Sequence, residues 1–308
     1  YGDHRDLHSF PTRRSSDLEP GLSSNYSFFG TLPRNREKIS FWMSWVAQRV
    51  IDPYLISGHQ GKIDQERSRS WKSACDDFVE KLIVLLQLVS GAPARATELA
   101  SLKIRNTVES VRDIFLINGE VAIIPKYSKT RNMREGHVNT VIRFPDAETS
   151  VLLLKYFILA RPINVFLASR SESEEELYLK DTFLYYRRDA RRLADIISSN
   201  LSSLGIGLTV RQYRQWQRGV QKHLHQLHTN RENEEHTLTT IGRAIQDTAL
   251  VQGGHSKATA IANYGRICTE LCRINQEELY RFRAASLQWH QVLRNSLKIG
   301  RASCRERV

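Results

Sequence analysis

A single Asn118-Gly119 pair stands between two short β-prone runs, Asp113–Ile117 and Val121–Lys126, in a chain whose other apolar residues recur at helical spacing. Asn-Gly between such runs is the strongest short-range hairpin signal, because both residues accept the positive φ that a two-residue turn demands. A third run, Val138–Phe144, follows a polar, basic loop at 128–136. On either side the period is helical. Phe78, Leu82, Leu85, Leu86 and Val89 mark one face of a helix starting near Ser73, which Gly91-Ala92-Pro93 ends. Leu99 and Leu102 turn a short second helix inward, and an apolar helix runs from Thr149 to Ala160, where Arg161-Pro162 stops it. Past an acidic patch at 171–176, expected as a solvated loop, helical patterns cover roughly 181–204, 209–228, 234–251, 256–264 and 266–294. The expected fold is mainly α with a small three-stranded antiparallel β-sheet inserted near its start.

The chain is basic. Its 308 residues carry 45 Lys and Arg against 33 Asp and Glu, a net charge of +12, which suits a polyanionic partner, nucleic acid before an acidic membrane surface. An apolar share of 41% builds a core and argues against wholesale disorder. Uninterrupted apolar runs such as Leu82–Leu86 and Val151–Leu154 fall far short of the ~20 residues of a membrane span. No signal peptide is marked, and four cysteines make no disulfide scaffold. The expectation is a soluble intracellular protein without membrane contact.

The two ends share an origin. One coding strand for residues 8–18, HSFPTRRSSDL, has a reverse complement that translates as KIGRASCRERV, which is residues 298–308. The element resembles a sequencing adapter read on opposite strands, so 1–18 and 298–308 are set aside from the fold, and the gene is expected to be cut at both ends. The 1–18 end is charge-balanced and 298–308 carries Lys298, Arg301, Arg305 and Arg307 against Glu306, so the intervening segment keeps most of the positive charge. Residues 19–72 read as the remnant of an upstream helical region and 73–297 as the main domain.

Four features mark places where a phosphate could be held. Arg95 opens a helix just after Gly91-Ala92-Pro93, with Glu98 one turn on. Lys129 lies where the second β-run gives way to the basic loop, and Arg214 lies within Thr209-Val210-Arg211-Gln212-Tyr213-Arg214. Gly254-His255-Ser256 comes last, with Tyr264 nine residues after His255. Taken singly, each has an ordinary explanation: Arg95 and Glu98 as a surface i,i+3 ion pair, Arg211 and Arg214 as a solvated helix face, His255 and Tyr264 as a capped helix start with a buried tyrosine. Lys126 could serve in place of Lys129. The order and the fixed spacing are what join them.

That ordered set resembles the tyrosine recombinase family over roughly residues 73–290, and phrases such as SGAPARATEL, QGGHSKATAIANYGR and FRAASLQWH look like a fungal group of Crypton-like mobile elements and regions preceding RecQ-type helicases in telomere-associated genes. The resemblance implies a recombinase catalytic-domain fold, a nuclear location, duplex DNA as partner, and cleavage and rejoining through a 3′-phosphotyrosine on Tyr264, with neither metal nor ATP as cofactor. Arg95 and Arg214 would clamp the phosphoryl oxygens as forked, permanently charged donors, His255 would add a hydrogen bond, and Lys129 would protonate the leaving 5′-oxygen. Tyr264, a phenol of ordinary pKa about 10, would be activated by that field. Glu98 supports the first arginine. Arg211 stands where the family usually has His, and an arginine binds phosphate but does not take a proton. Relatives work as tetramers exchanging a C-terminal helix, a part that 266–294 could play.

Further DNA contacts are expected from Lys126, Arg131, Lys257 and the four arginines Arg187, Arg188, Arg191 and Arg192, which make two adjacent i,i+4 rows on one helix. His223, His225 and His228 read as polar helix surface rather than a zinc site, Cys268 and Cys272 as packed or free thiols, and Trp216, Phe282 and Trp289 as core. The chain has no G-x-x-x-x-G-K-[ST] phosphate loop. The alternative to an active recombinase is a catalytically inactive DNA-binding module attached to a helicase.

Overall fold

The computed structural model describes residues 33–49, 55–57, 62–107, 110–125, 141–220 and 276–305. Its organising element begins at Asp64, whose carboxylate accepts the N–H groups of Glu66 and Arg67 at 3.0 Å each and so caps a helix over Gln65–Val89. Ahead of it lie a helix, α1 (Pro33–Val46), and a two-stranded antiparallel pair, β1 (Ile56–Ser57) with β2 (Lys62–Ile63), so the capped helix is α2. It starts at Gln65 rather than near Ser73, which puts the expected boundary at 72/73 inside a helix. Its buried stripe is Cys75, Val79, Leu82, Ile83 and Leu86, while Phe78 and Leu85 are more than a third exposed. Two of the residues expected to face inward thus lie at the edge, where the Phe78 ring stands 5.9 Å from that of Tyr156.

After α2 come a short helix, α3 (Ala96–Ala100), and the hairpin of β3 (Ile114–Ile117) and β4 (Glu120–Ile123). Asn118 and Gly119 have φ of 53° and 80°, the two left-handed residues of the expected turn. Alternation sends Ile114, Val121 and Ile123 into the main core, while Phe115, Ile117 and Ala122 pack with Ile142, Phe144 and Phe282. The third strand is not formed among the described residues. The expected run reduces to one bridge, Ile123 with Arg143, closed by reciprocal bonds of 2.8 and 2.9 Å. Pro145 has no N–H to extend a ladder, and the N–H of Phe144 goes instead to Ser286 Oγ at 3.3 Å.

Two further expectations are corrected. Arg161-Pro162 does not stop the apolar helix: α4 (Ala147–Lys155) passes through a π-turn at Tyr156–Ala160 into α5 (Arg161–Ser171). The Arg161 N–H reaches back to Tyr156 O, and this widened turn carries the helix into Pro162 at a position where a missing N–H does little harm. The acidic patch is not a loop. Ser173 caps α6 (Glu174–Thr182), and Glu174, Glu175 and Glu176 form its first turn, where the helix dipole favours negative charge. The continuous helix over Ala147–Ser171 is also long and apolar enough to cross a bilayer. Here its Leu153 joins the main core and its Ile163 and Leu167 pack with Val46 and Leu55.

The remaining described helices are α7 (Ala190–Ser203), α8 (residues 210–220) and α9 (Gln276–Arg305). α4, α5, α7 and α9 all pack on α2, and α3 packs on α7. The observed architecture is a mainly helical fold with small antiparallel two-stranded sheets. α9 continues through 298–305, part of the segment expected to be adapter-derived. Residues 1–32 and the helical patterns at 221–275 lie outside the described residues, as do His223, His225, His228, Cys268 and Cys272.

Candidate functional site

Gly91, at a φ of 92°, turns the chain off the end of α2 into an extended stretch that delivers Arg95. The carbonyls of this stretch have no helical or strand partner, and side chains from four directions meet them. Leu88 O accepts from Trp289 Nε1 at 2.7 Å, Val89 O from His290 Nε2 at 2.5 Å and Ser90 O from Ser286 Oγ at 3.4 Å. Gly91 O accepts from Gln217 Nε2 at 2.8 Å, Ala92 O from Arg143 Nε at 2.9 Å and Pro93 O from Arg214 Nε at 3.2 Å. Ala94 bonds Gln87 through both its N–H and its carbonyl, each at 3.0 Å. Every carbonyl from Leu88 to Ala94 is thus held by a side chain. The last carbonyls of α2, which any helix leaves open, are covered by α9, and the loop beyond them by α8, Arg143 and α2 itself.

α8 is aimed by a capping box at its start. Thr209 Oγ1 accepts the Gln212 N–H at 3.3 Å, and Gln212 Oε1 accepts the Thr209 N–H at 2.9 Å. Val210, Tyr213 and Gln217 then face the core, Gln217 wholly buried. Arg214 and Arg218, each one residue further round, flank that face at its half-buried edge. Arg214 therefore reaches Pro93, two residues from Arg95, across 121 positions of sequence.

The cluster is strongly positive. Burial chiefly pulls the Arg214 guanidinium down to about 10; Glu98 opposes the shift, and Arg218, Arg95 and Arg143 reinforce it by repulsion. Arg218 is lowered by burial and then by Arg95, and Arg143 by its complete burial. Against these four guanidiniums stands Glu98. It accepts the Arg95 N–H at 3.2 Å and Arg143 Nη2 at 3.3 Å, with Arg95 Nη1 further off at 3.8 Å. The i,i+3 ion pair expected between Arg95 and Glu98 is formed, loosely at 3.8 Å, and a second, closer pair joins Glu98 to the buried Arg143.

The structure brings Arg95, Glu98 and Arg214 together. Arg211 stands one turn ahead of Arg214 on exposed helix surface and makes no ion pair among the described residues. Lys126, Lys129, Arg131, His255, Lys257 and Tyr264 lie outside the described residues. Sequence reasoning missed Arg143, Arg218, Gln217 and the triad Ser286, Trp289 and His290. A signal existed for the first two: Arg143 is the one charge within Val138–Phe144, and Arg218 repeats Arg214 at i+4. Trp289 and Phe282 are core, as expected, but Trp216 is half exposed, its ring centroid 6.2 Å from that of Trp289 in a T-shaped arrangement.

The four arginines of the 187–192 segment do not share one helix. Asp189 caps α7 by accepting the N–H groups of Arg191 and Arg192, so Arg187 and Arg188 precede it. Arg188 takes a φ of 52° and lies 4.4 Å over the Phe183 ring. Arg187 pairs with Asp76 at 2.9 Å, Arg192 stands 3.9 Å from Glu80, and Arg191 is exposed. Asp76 sits thirteen residues before the end of α2, which places this group about 20 Å along the helix from the Arg95 end.

His290 gives the site a pH dependence. Its burial holds it below its usual value, and the bond to Val89 O opposes that shift. The unfolded chain therefore binds more protons as pH falls past about 6.5. The contribution of the α9 contact is complete above that pH and declines on the acid side. Chemical-denaturation midpoints should drop below pH ~6.5 by more in the native chain than in His290→Gln, which keeps an N–H donor. Equal pH profiles in the two would refute it.

Fold and site together define a basic helical domain with a guanidinium cluster at the end of its central helix. No protein-family model and no solved structure matches the chain.

Proposed function

We propose that this chain is a tyrosine recombinase-like catalytic domain that cleaves and rejoins duplex DNA through Tyr264. The observation that supports it most is the meeting of Arg95 and Arg214 at one carbonyl-pinned loop, with Arg143 and Arg218 beside them and Glu98 as the carboxylate paired with them among the described residues. A guanidinium with a pKa of about 10 keeps its proton at neutral pH, so such a pair presents permanent charge to phosphoryl oxygens as negative charge builds there. In the step itself the Tyr264 oxygen attacks phosphorus and the P–O5′ bond breaks. Lys129 gives a proton to the departing 5′-oxygen, and the covalent 3′-phosphotyrosine is reversed by another 5′-hydroxyl. The phenol proton goes to His255 or water, because Arg211 stays protonated. The assembly would be a tetramer on nuclear DNA, with α9 taking in a neighbour the seat it occupies here in its own chain.

A second reading, a module that binds DNA without cutting it, is favoured by the exposed Arg211 at the usual His position. Incubation with a nicked duplex, followed by denaturing electrophoresis, separates the two. A covalent adduct that disappears in Tyr264→Phe supports cleavage. Native-gel retardation without an adduct supports binding alone, and absence of both overturns both.

A further inference from the structure

Glu98 has three guanidiniums around it, those of Arg95, Arg143 and Arg214, and how it divides itself among them decides what the site can hold. Arg143 takes it from the buried side. The Arg143 side chain, 5% exposed, gives Nη2 to Glu98 Oε2 at 3.3 Å while its Nε holds Ala92 O at 2.9 Å, so one rigid fork ties the carboxylate to the loop. Arg95 stands on the open side. Its Nη1 is 3.8 Å from Glu98 Oε1, beyond hydrogen-bond distance, and its side chain is 28% exposed. The carboxylate nevertheless fixes the Arg95 backbone through the N–H at 3.2 Å. Glu98 therefore sets where Arg95 starts while holding its head group only as a loose ion pair, without a hydrogen bond.

We propose that Arg143 is a positioning residue: by neutralising Glu98 from within, it keeps that carboxylate from capturing Arg95 and leaves the Arg95 guanidinium open to a phosphate. This rests on the reading of Arg95 and Arg214 as a phosphate clamp, and it adds a residue outside the ordered set that suggested the clamp. Without Arg143, the Glu98 carboxylate, with a side chain 12% exposed, loses its inner partner, and the nearest cation able to close on it is Arg95. The inner ion pair and the open clamp are then one device. Removing the inner cation closes the clamp on its own carboxylate, and removing the carboxylate as well reopens it. Exchange of both members of a buried pair for apolar groups is tolerated far better than loss of one, so the double variant is also the better folded.

The test uses the whole chain and a fluorescein-labelled duplex carrying one nick, with affinity measured across a salt series. Arg143→Met should weaken binding as much as Arg95→Gln does and make the plot of log K against log salt shallower by about 0.9, one phosphate contact. Arg143→Met with Glu98→Met should return the slope to that of the native chain and recover part of the affinity, short of all of it because the holds on the Arg95 N–H and the Ala92 carbonyl are gone; a merely structural role for Arg143 would give no recovery. If Arg143→Met does not fold, Glu98→Gln decides: tighter binding supports the proposal, and unchanged or weaker binding overturns it. Arg95→Gln and Arg214→Gln are the controls on the reading beneath. Native affinity and slope in both remove the phosphate clamp itself. A loss in Arg95→Gln with no loss in Arg143→Met, or with no recovery in the double variant, removes only the role of Arg143.

Discussion

If the proposed cleavage holds, Arg214→Gln should lower the initial rate of covalent adduct formation on a nicked duplex by roughly 10²–10³-fold, and Tyr264→Phe should abolish it. The magnitude is that of one preorganised donor aimed at developing negative charge, and preorganisation is what the structure describes for Arg214. Its Nε is committed to Pro93 O, which leaves the outer edge of the guanidinium set in direction. Burial and three neighbouring arginines strengthen its electrostatic reach, since a less hydrated charge is less screened. Glutamine keeps a donor for Pro93 but loses the charge and the fork. The change should therefore act on the adduct rather than on stability, with the chemical-denaturation midpoint nearly unmoved. A fall in adduct that merely follows a fall in folded protein would show that Arg214 serves the loop alone.

The second large effect is on folding. Trp289→Ala should destabilise the chain by about 3–5 kcal/mol, the usual cost of deleting a fully buried aromatic side chain. Trp289 is 2% exposed, lies edge-on to Trp216, and is the donor to Leu88 O. Trp289→Phe divides the loss: it keeps most of the ring and strands one carbonyl, for about 1–3 kcal/mol. Denaturant unfolding followed by far-ultraviolet circular dichroism measures both. If Trp289→Ala shifts stability by less than about 1 kcal/mol, α9 is not seated on the end of α2 as described. A coupled drop in duplex affinity is expected as well, because the carbonyls of Leu88, Val89 and Ser90 all bond to α9 just ahead of the residues that carry Arg95.

Features set by a few adjacent residues were legible in the sequence. The turn at Asn118-Gly119, the break at Gly91-Ala92-Pro93 and the inward Leu99 and Leu102 each follow from local backbone preference or a short apolar period. Features settled by distant partners were not. Proline normally ends a helix, and only the π-turn at Tyr156–Ala160 shows why Pro162 does not. The third β-run stops at one bridge because Ser286, far along the chain, takes the N–H of Phe144. The arginines at 187–192 look like one helical face until Asp189 is seen to cap the helix between them. In the site, Arg95 and Arg214 stood out because their neighbours form a pattern. Gln217 stands in no pattern and Arg143 only as a lone charge in a β-prone run, and their roles exist only once the loop they hold has been folded against them.

The row of carbonyls from Leu88 to Ala94 carries a consequence for synthesis. Two of its donors, Trp289 and His290, lie 201 residues downstream of the groups they bond. During translation α2, the hairpin and α7 leave the ribosome long before those donors exist, and domains generally begin to fold as they emerge. For most of its synthesis, then, the nascent chain has the end of α2 open, with the seat of α9 vacant. The guanidinium cluster receives its final scaffold only once His290 has emerged, so a message truncated before Ser286 leaves both the core position of Trp289 and the rim of the site unbuilt.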